Sequence, residues 1–176
     1  MKIGLLFGSF NPIHIGHIAI ANYMAESTDL EQVWLVISPH NPLKEKKLLA
    51  DGKKRLSQVK KAIGKNTYIK ISSVEFGLPQ PSYTINTLEV LKKKYPRNKF
   101  VLIIGSDNLS LFYKWKDYIK ILRNYKIYVY PRSGSGGGKF KNHRNVIIVD
   151  APRIDISSSS IREQTKKGKD MRKLLA

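Results

Sequence analysis

Residues 2–17 read Lys2-Ile-Gly-Leu-Leu-Phe-Gly-Ser-Phe-Asn-Pro-Ile-His-Ile-Gly-His17, and their reading decides the fold. Residues 3–7 are a short apolar run of strand length, as a strand buried in a sheet requires. The run breaks at Gly8-Ser9-Phe10-Asn11-Pro12, and a helical pattern begins near His14. A strand that passes through a glycine turn into a helix start presents free backbone N–H groups and the positive end of a helix dipole. In an α/β sheet that is where an anionic ligand binds. His14 and His17, three residues apart in the first helical turn, fall on one face and point at one spot. The expected occupant of that spot is a nucleotide phosphate.

The same alternation continues outward. Residues 15–24 carry apolar side chains at helical spacing, and Gln-Val-Trp-Leu-Val-Ile at 32–37 is a second buried strand. Asp51 is placed to N-cap a helix running to Ile63, with Gly64 as its stop. Residues 68–74 read as a third strand, 76–82 as a Gly/Pro loop, and Tyr83 starts a helix reaching Lys94. Residues 99–104 form a fourth strand, and helical spacing over 109–122 predicts one helix. Fifth and sixth strands are expected at 126–130 and 146–149. Residues 133–138, Ser-Gly-Ser-Gly-Gly-Gly, are the low-complexity stretch and are expected to be mobile. Ser157–Ser160 opens a last helical segment over 161–168. With no repeat and no linker, residues 1–176 form a single domain, 155–176 being its C-terminal helical segment. The expected fold is α/β, a Rossmann-like doubly wound parallel sheet. Four unusual loops, at 8–12, 38–44, 105–108 and 154–160, follow strands, so one crevice could collect them.

Composition narrows the chemistry. A chain of 176 residues suits one α/β domain. Without cysteine there is no disulfide framework, thiolate metal site or cysteine nucleophile. There is no charged-then-apolar leader and no apolar stretch near the roughly eighteen residues of a membrane span, so a cytoplasmic protein without a membrane partner is expected. The net charge of +19 comes from 32 Lys+Arg against 13 Asp+Glu. Its lysines are scattered over helix faces and loops, so a solvated surface accounts for them without a nucleic-acid partner. The same charge attracts phosphate-bearing small substrates. A homo-oligomer is left open.

Residues 8–17 are neither a Walker loop nor Gly-x-Gly-x-x-Gly. They match the Gly-(Thr/Ser)-Phe-(Asp/Asn)-Pro-x-His-x-Gly-His signature of the nucleotidyltransferase superfamily, with Asn11 where aspartate is common. Ile156-Ser-Ser-Ser-Ser-Ile-Arg162 resembles the Ile-Ser-Ser-(Thr/Ser)-x-Ile-Arg signature of the same superfamily, near its usual place late in the chain. Hydroxyls and N–H groups at a helix start suit phosphate oxygens, and Arg162 adds a planar donor fork.

The middle of the chain narrows the resemblance. Pro39-His-Asn-Pro-Leu-Lys44, Tyr83-Thr-Ile-Asn-Thr-Leu88, Gly105-Ser-Asp107 and Trp115 resemble, in order and spacing, the nicotinate-mononucleotide adenylyltransferases. The resemblance runs from Lys2 to about Leu174. It implies transfer of the adenylyl group of ATP to nicotinate mononucleotide, giving deamido-NAD and pyrophosphate. It further implies that Gly8, Ser9, Phe10, His14, His17, Gly105, Asp107, Ser158, Ser159 and Arg162 meet ATP, with His14, His17 and Arg162 catalytic. Asn41, Lys44, Tyr83, Thr84, Thr87 and Trp115 would meet the mononucleotide, Trp115 by stacking on the pyridine ring. With no carboxylate cluster, Mg²⁺ is expected to arrive with ATP rather than be caged by protein side chains. The alternatives are phosphopantetheine adenylyltransferase, an enzyme for the amide mononucleotide, and, outside catalysis, a basic nucleic-acid-binding protein.

Overall fold

A computed structural model describes residues 1–39 and 51–176. The chain alternates β1 (Lys2–Gly8), α1 (Ile15–Ser27), β2 (Gln32–Ile37), α2 (Gly52–Ile63), β3 (Ile69–Ser72), α3 (Thr84–Lys94), β4 (Lys99–Gly105), α4 (Ser106–Ser110), α5 (Tyr118–Asn124), β5 (Lys126–Tyr130), β6 (Val146–Ile148) and α6 (Ser158–Lys166). The six strands form one sheet in the order β3-β2-β1-β4-β5-β6, every adjacent pair parallel. This is the doubly wound arrangement expected from the alternation. The order reverses between β1 and β4, so the crevice opens beyond their carboxyl ends.

Both faces of the sheet are covered, which is why its central strands are apolar throughout. Ile3 and Leu5 of β1 join Ile85, Leu88 and Leu91 of α3 and Ile121 of α5 on one face. Leu6 joins Ile20 and Met24 of α1 and Val59 of α2 on the other. Gly4 lies where a Cβ would come within 2.6 Å of the Ile103 and Leu30 side chains, so the second core closes over it. The lysines of α2 and the last turn of α3 are exposed. Among the described residues, no helix is long and apolar enough to cross a membrane.

Three elements differ from expectation. The third strand ends at Ser72, and Val74–Gly77 turns into a 3₁₀ helix that buries Glu75. The single helix expected over 109–122 is three pieces: α4, a 3₁₀ turn at Phe112–Lys114, and α5. Trp115 is extended and Asp117 left-handed (φ 52°), because Phe112, Trp115, Tyr118 and Phe140 pack ring against ring at 5.2–6.2 Å in place of a continuous helix. The last helix starts earlier than expected, with Ser157 as N-cap accepting the Ser160 N–H at 3.1 Å. Residues 133–138 turn through left-handed glycines at 134, 137 and 138, and the Ser135 and Ser110 hydroxyls share a hydrogen bond of 2.9 Å.

Arg55 of α2, 1% exposed, ties the carboxyl ends of β1 and β2 together. Its guanidinium donates to the carbonyls of Ser9 (2.6 Å), Ser38 (2.8 Å) and Pro39 (3.1 Å). Burial lowers its pKa, and Asp51 pulls the other way. Hydrogen bonds from a charged donor contribute about 1.5–3 kcal/mol each, and buried carbonyls left without a donor cost more than the bond alone. Arg55→Met should therefore lose about 3 kcal/mol or more in urea unfolding. An unshifted midpoint would show that these carbonyls do not depend on it.

Candidate active site

Beyond β1 and β4 lie two adjoining lobes that share Gly8, Ser9 and Asn108. The first is built on the start of α1. His14 is the N-cap, and the His14 and His17 rings stack with centroids 3.7 Å apart and planes at 25°. The His14 N–H donates to Nδ1 of His17 at 3.3 Å. A ring nitrogen that accepts carries no proton, so neutral His17 holds its hydrogen on Nε2. Phe10, with φ 44°, folds back over Gly8, where any Cβ would meet its ring at about 3 Å. The Phe10 ring then meets His17 edge-on at 4.9 Å. A Cβ on Gly16 would come 2.8 Å from Ile154 and 3.1 Å from Nδ1 of His14, so glycine there lets the His14 ring lie close to the helix.

α6 closes this lobe. Ser158 donates to the Pro12 carbonyl at 2.9 Å, and Arg162 donates to the Asn11 carbonyl and to Ser159 Oγ (3.1 Å). Ser157, Ser158 and Ser159 line the lobe, while the Arg162 guanidinium clamps the opening loop from its edge. After α6, a 3₁₀ turn at Arg172–Leu174 brings Leu175 into an antiparallel bridge with His14. Opposite stand Asp107 and Arg132, 4.0 Å apart, with Arg132 also donating to the Ile154 and Ile156 carbonyls at 3.3 Å. A Cβ on Gly105 would lie 2.3 Å from Asp107 Oδ1, so glycine at the β4 end leaves room for that carboxylate where it lies.

The second lobe is lined by Ser82, Tyr83 and Thr84 at the start of α3, by Gly105, and by Lys114, Trp115 and Lys116. Glu75, 2% exposed, holds α3 in place. Its two carboxylate oxygens accept from Ser82 Oγ and Thr87 Oγ1, each at 2.7 Å. Trp115 packs on Phe112 at 5.2 Å, and its buried Nε1 has no hydrogen-bond partner. Among the described residues, no group of three or more His, Asp or Glu side chains gathers to hold a metal ion.

One lobe therefore combines stacked imidazoles with two helix starts, and the other an indole with a third helix start. The cytidylyltransferase-like family model matches residues 5–164. A probable nicotinate-nucleotide adenylyltransferase of Flavobacterium johnsoniae is 52% identical over 177 residues, covering 99% of this chain and 92% of its own. The chain belongs to the nicotinate-nucleotide adenylyltransferase family, within the cytidylyltransferase-like group. A probable nicotinate-nucleotide adenylyltransferase of Bacteroides fragilis is 47% identical, with 99% and 87% of the two chains covered. The Plasmodium falciparum nicotinic acid mononucleotide adenylyltransferase, solved with NaAD, has the same fold, with a TM-score of 0.80 over 97% of this chain and 87% of its own at 21% identity.

For this family member the structure brings Gly8, Ser9, Phe10, His14, His17, Asp107, Ser158 and Ser159 to one lobe and Tyr83, Thr84 and Trp115 to the other. Gly105, expected on the ATP side, lines this second lobe because it ends β4 on that side. Arg162, expected to meet ATP, lines neither lobe because its guanidinium is spent on Asn11 and Ser159. Thr87 is fully buried, lines neither lobe and spends its hydroxyl on Glu75, so it positions α3 rather than facing a ligand. Asn41 and Lys44 lie outside the described residues. Sequence reasoning missed Asn108, Arg132, Glu75, Lys114 and Lys116. Arg132 follows the carboxyl end of β5, where a doubly wound sheet places ligand-facing residues. Glu75, Lys114 and Lys116 carry no such signal.

Burial, with Arg132 nearby, pushes the His14 pKa down to about 4. A ring 3% exposed with the Arg132 guanidinium nearby is a poor place for a second positive charge. His14 is thus neutral in the folded protein where the unfolded chain already takes up a proton, below pH about 6.5. Its contribution to stability is full above pH about 6.5 and is lost as pH falls towards 4. Between pH 7 and 4.5 the wild type should lose about 2–3 kcal/mol more stability than His14→Gln, read from urea midpoints. Parallel curves for the two proteins would refute a depressed His14.

Proposed function

We propose that the protein transfers the adenylyl group of ATP to nicotinate mononucleotide, giving deamido-NAD and pyrophosphate, a step of NAD biosynthesis. The observation that carries this reading is the pair of adjoining lobes with a shared floor at Gly8, Ser9 and Asn108. A phosphate-type lobe and an aromatic lobe that meet at one wall suit two substrates joined through their phosphates. The similarity to relatives bearing that name over nearly the whole chain supports it.

An oxygen of the mononucleotide 5′-phosphate attacks the α-phosphorus of ATP in line. The new P–O bond forms as the bond from that phosphorus to the bridging oxygen breaks, and pyrophosphate leaves with the electron pair. The attacking phosphate is already anionic near neutral pH, so no general base is required. The protein's part is positioning and charge stabilisation. His17 donates from Nε2 to the phosphate being displaced, and neutral His14 lies against it as the second imidazole. Ser158, Ser159 and the α6 start hold the β/γ end, while Arg162 fixes the opening loop around it. Among the described residues Asp107, beside Arg132, is the one carboxylate that lines this lobe, so Mg²⁺ is read as part of the substrate MgATP. When bound, Mg²⁺ offsets charge on the phosphates. In the other lobe the pyridine ring stacks on Trp115 and its carboxylate meets the N–H groups of Tyr83 and Thr84.

The deciding assay supplies MgATP with nicotinate mononucleotide, its amide or phosphopantetheine, and measures pyrophosphate. Release dependent on the nicotinate acceptor supports the reading, and phosphopantetheine as the preferred acceptor would replace it. Loss of one preorganised donor costs about 10²–10³ in turnover, so His17→Ala should fall by that factor while its circular dichroism stays unchanged. A folded His17→Ala with near-wild-type pyrophosphate release would remove His17 from the chemistry. Trp115→Ala should raise KM for the mononucleotide far more than KM for ATP. Equal rises in both would take Trp115 out of the pyridine site.

A further inference from the structure

The acceptor-side lobe carries two lysines, Lys114 and Lys116, that belong to none of the recognised motifs. The chain directs them differently. Lys114 Nζ lies 5.8 Å from the centre of the Tyr113 ring, which is exposed and does not line the lobe. Lys116 Nζ lies 4.6 Å from the centre of the Tyr83 ring. Tyr83 is the N-cap of α3 and does line the lobe. The break between the 3₁₀ turn and α5, with Trp115 extended and Asp117 left-handed, is what carries residue 116 to that rim. Neither lysine forms an ion pair with a carboxylate among the described residues. The Lys116 ammonium is therefore held beside the first turn of α3 by a ring face alone, an attraction that a ligand can replace without breaking a salt bridge.

The lobe's other charge runs the opposite way. Glu75 is a buried carboxylate lining the same lobe, partnered by the Ser82 and Thr87 hydroxyls. A second carboxylate brought in by an acceptor meets that field and needs an offsetting charge. The first-turn N–H groups of α3 donate hydrogen bonds that favour a carboxylate, but they do not exclude the oxygen of a carboxamide. Acid and amide have nearly the same shape, so packing on Trp115 separates them little. A formal positive charge separates them directly.

We propose that Lys116 is the residue that makes this lobe prefer an acid acceptor over its amide. This rests on the proposed adenylyl transfer to a pyridine mononucleotide and names the determinant of its acceptor choice. Lys116 leaves the Tyr83 ring, or stays on it, with its ammonium beside the acceptor carboxylate. It contributes to binding and takes no part in the transfer step.

The test uses the full chain with MgATP and either nicotinate or nicotinamide mononucleotide, comparing kcat/KM for each. In Lys116→Gln the value for the acid should fall about five- to ten-fold through KM, the effect of one partly solvated charge pair, with the amide nearly unchanged. KM for ATP should hold, and Lys116→Arg should keep most of the acid-to-amide ratio. An unchanged ratio in Lys116→Gln, or equal losses on both acceptors, would overturn the proposal. So would a ratio drop of the same size in Lys114→Gln, which removes the same charge from the same rim. A wild type that transfers to neither mononucleotide defeats the functional reading itself. A wild type that favours the acid, with a Lys116→Gln that favours it as strongly, defeats the role of Lys116 alone.

Discussion

A parallel sheet gathers the carbonyl ends of its strands on one edge, and that is the edge where this fold binds anions. Left alone, the carbonyls after β1 and β2 would face a nucleotide phosphate with lone pairs. The buried Arg55 guanidinium takes up the carbonyls of Ser9, Ser38 and Pro39 at once. It turns the loop after β1 so that backbone N–H groups and the α1 start are what the cleft presents. Phe10 and the shared floor at Gly8 and Ser9 lie on that loop, which Ser158 and Arg162 hold from the other side. A charge with no access to solvent is costly unless hydrogen-bonded on all sides, and here its bonds go to the atoms that would otherwise oppose the ligand.

The ATP-side lobe is then a meeting of two helix starts from opposite ends of the chain. α1 follows the first strand and α6 the last, and each directs its N-terminus into the same space. The serine run before Arg162 has a divided task. Ser157 caps α6, Ser158 ties it to Pro12, and Ser159 receives Arg162. One short segment therefore sets the geometry of the opening loop and lines the lobe.

Much of this was legible because it depends on local periodicity. β2, β5 and α2 begin and end where their apolar runs, cap and glycine stop predict. The pairing of residues 8–17 with 156–162 was legible as motif, and the structure brings both into one lobe. What stayed hidden depends on contacts distant in sequence. Leu109, Phe112, Ile121 and Leu122 keep helical spacing, so nothing local announces that Phe140 joins their aromatic cluster and splits the helix. Arg55 looks like any cation in a lysine-rich helix, and only the packed fold shows it to be the buried one. Thr87 read as part of a binding motif because its neighbours Tyr83 and Thr84 are. One helical turn later it faces inward to Glu75.

Glu75 also explains why the acceptor-side lobe is the less legible half. Its carboxylate sits at the first turn of α3, where the helix dipole favours negative charge, and is satisfied there by Ser82 and Thr87. In the proposed function the same turn also receives the acceptor carboxylate from the cleft side. A helix start has a limited positive potential to share, so the inner carboxylate fixes α3 firmly while drawing on part of that potential. In the proposed role of Lys116 its ammonium offsets this at the rim, where the irregular backbone at residues 115–117 rather than any periodic element places it. The ATP side, built from helix starts and glycine turns, is written in motifs. The acceptor side is written in the placement of a few charges, which periodicity does not record.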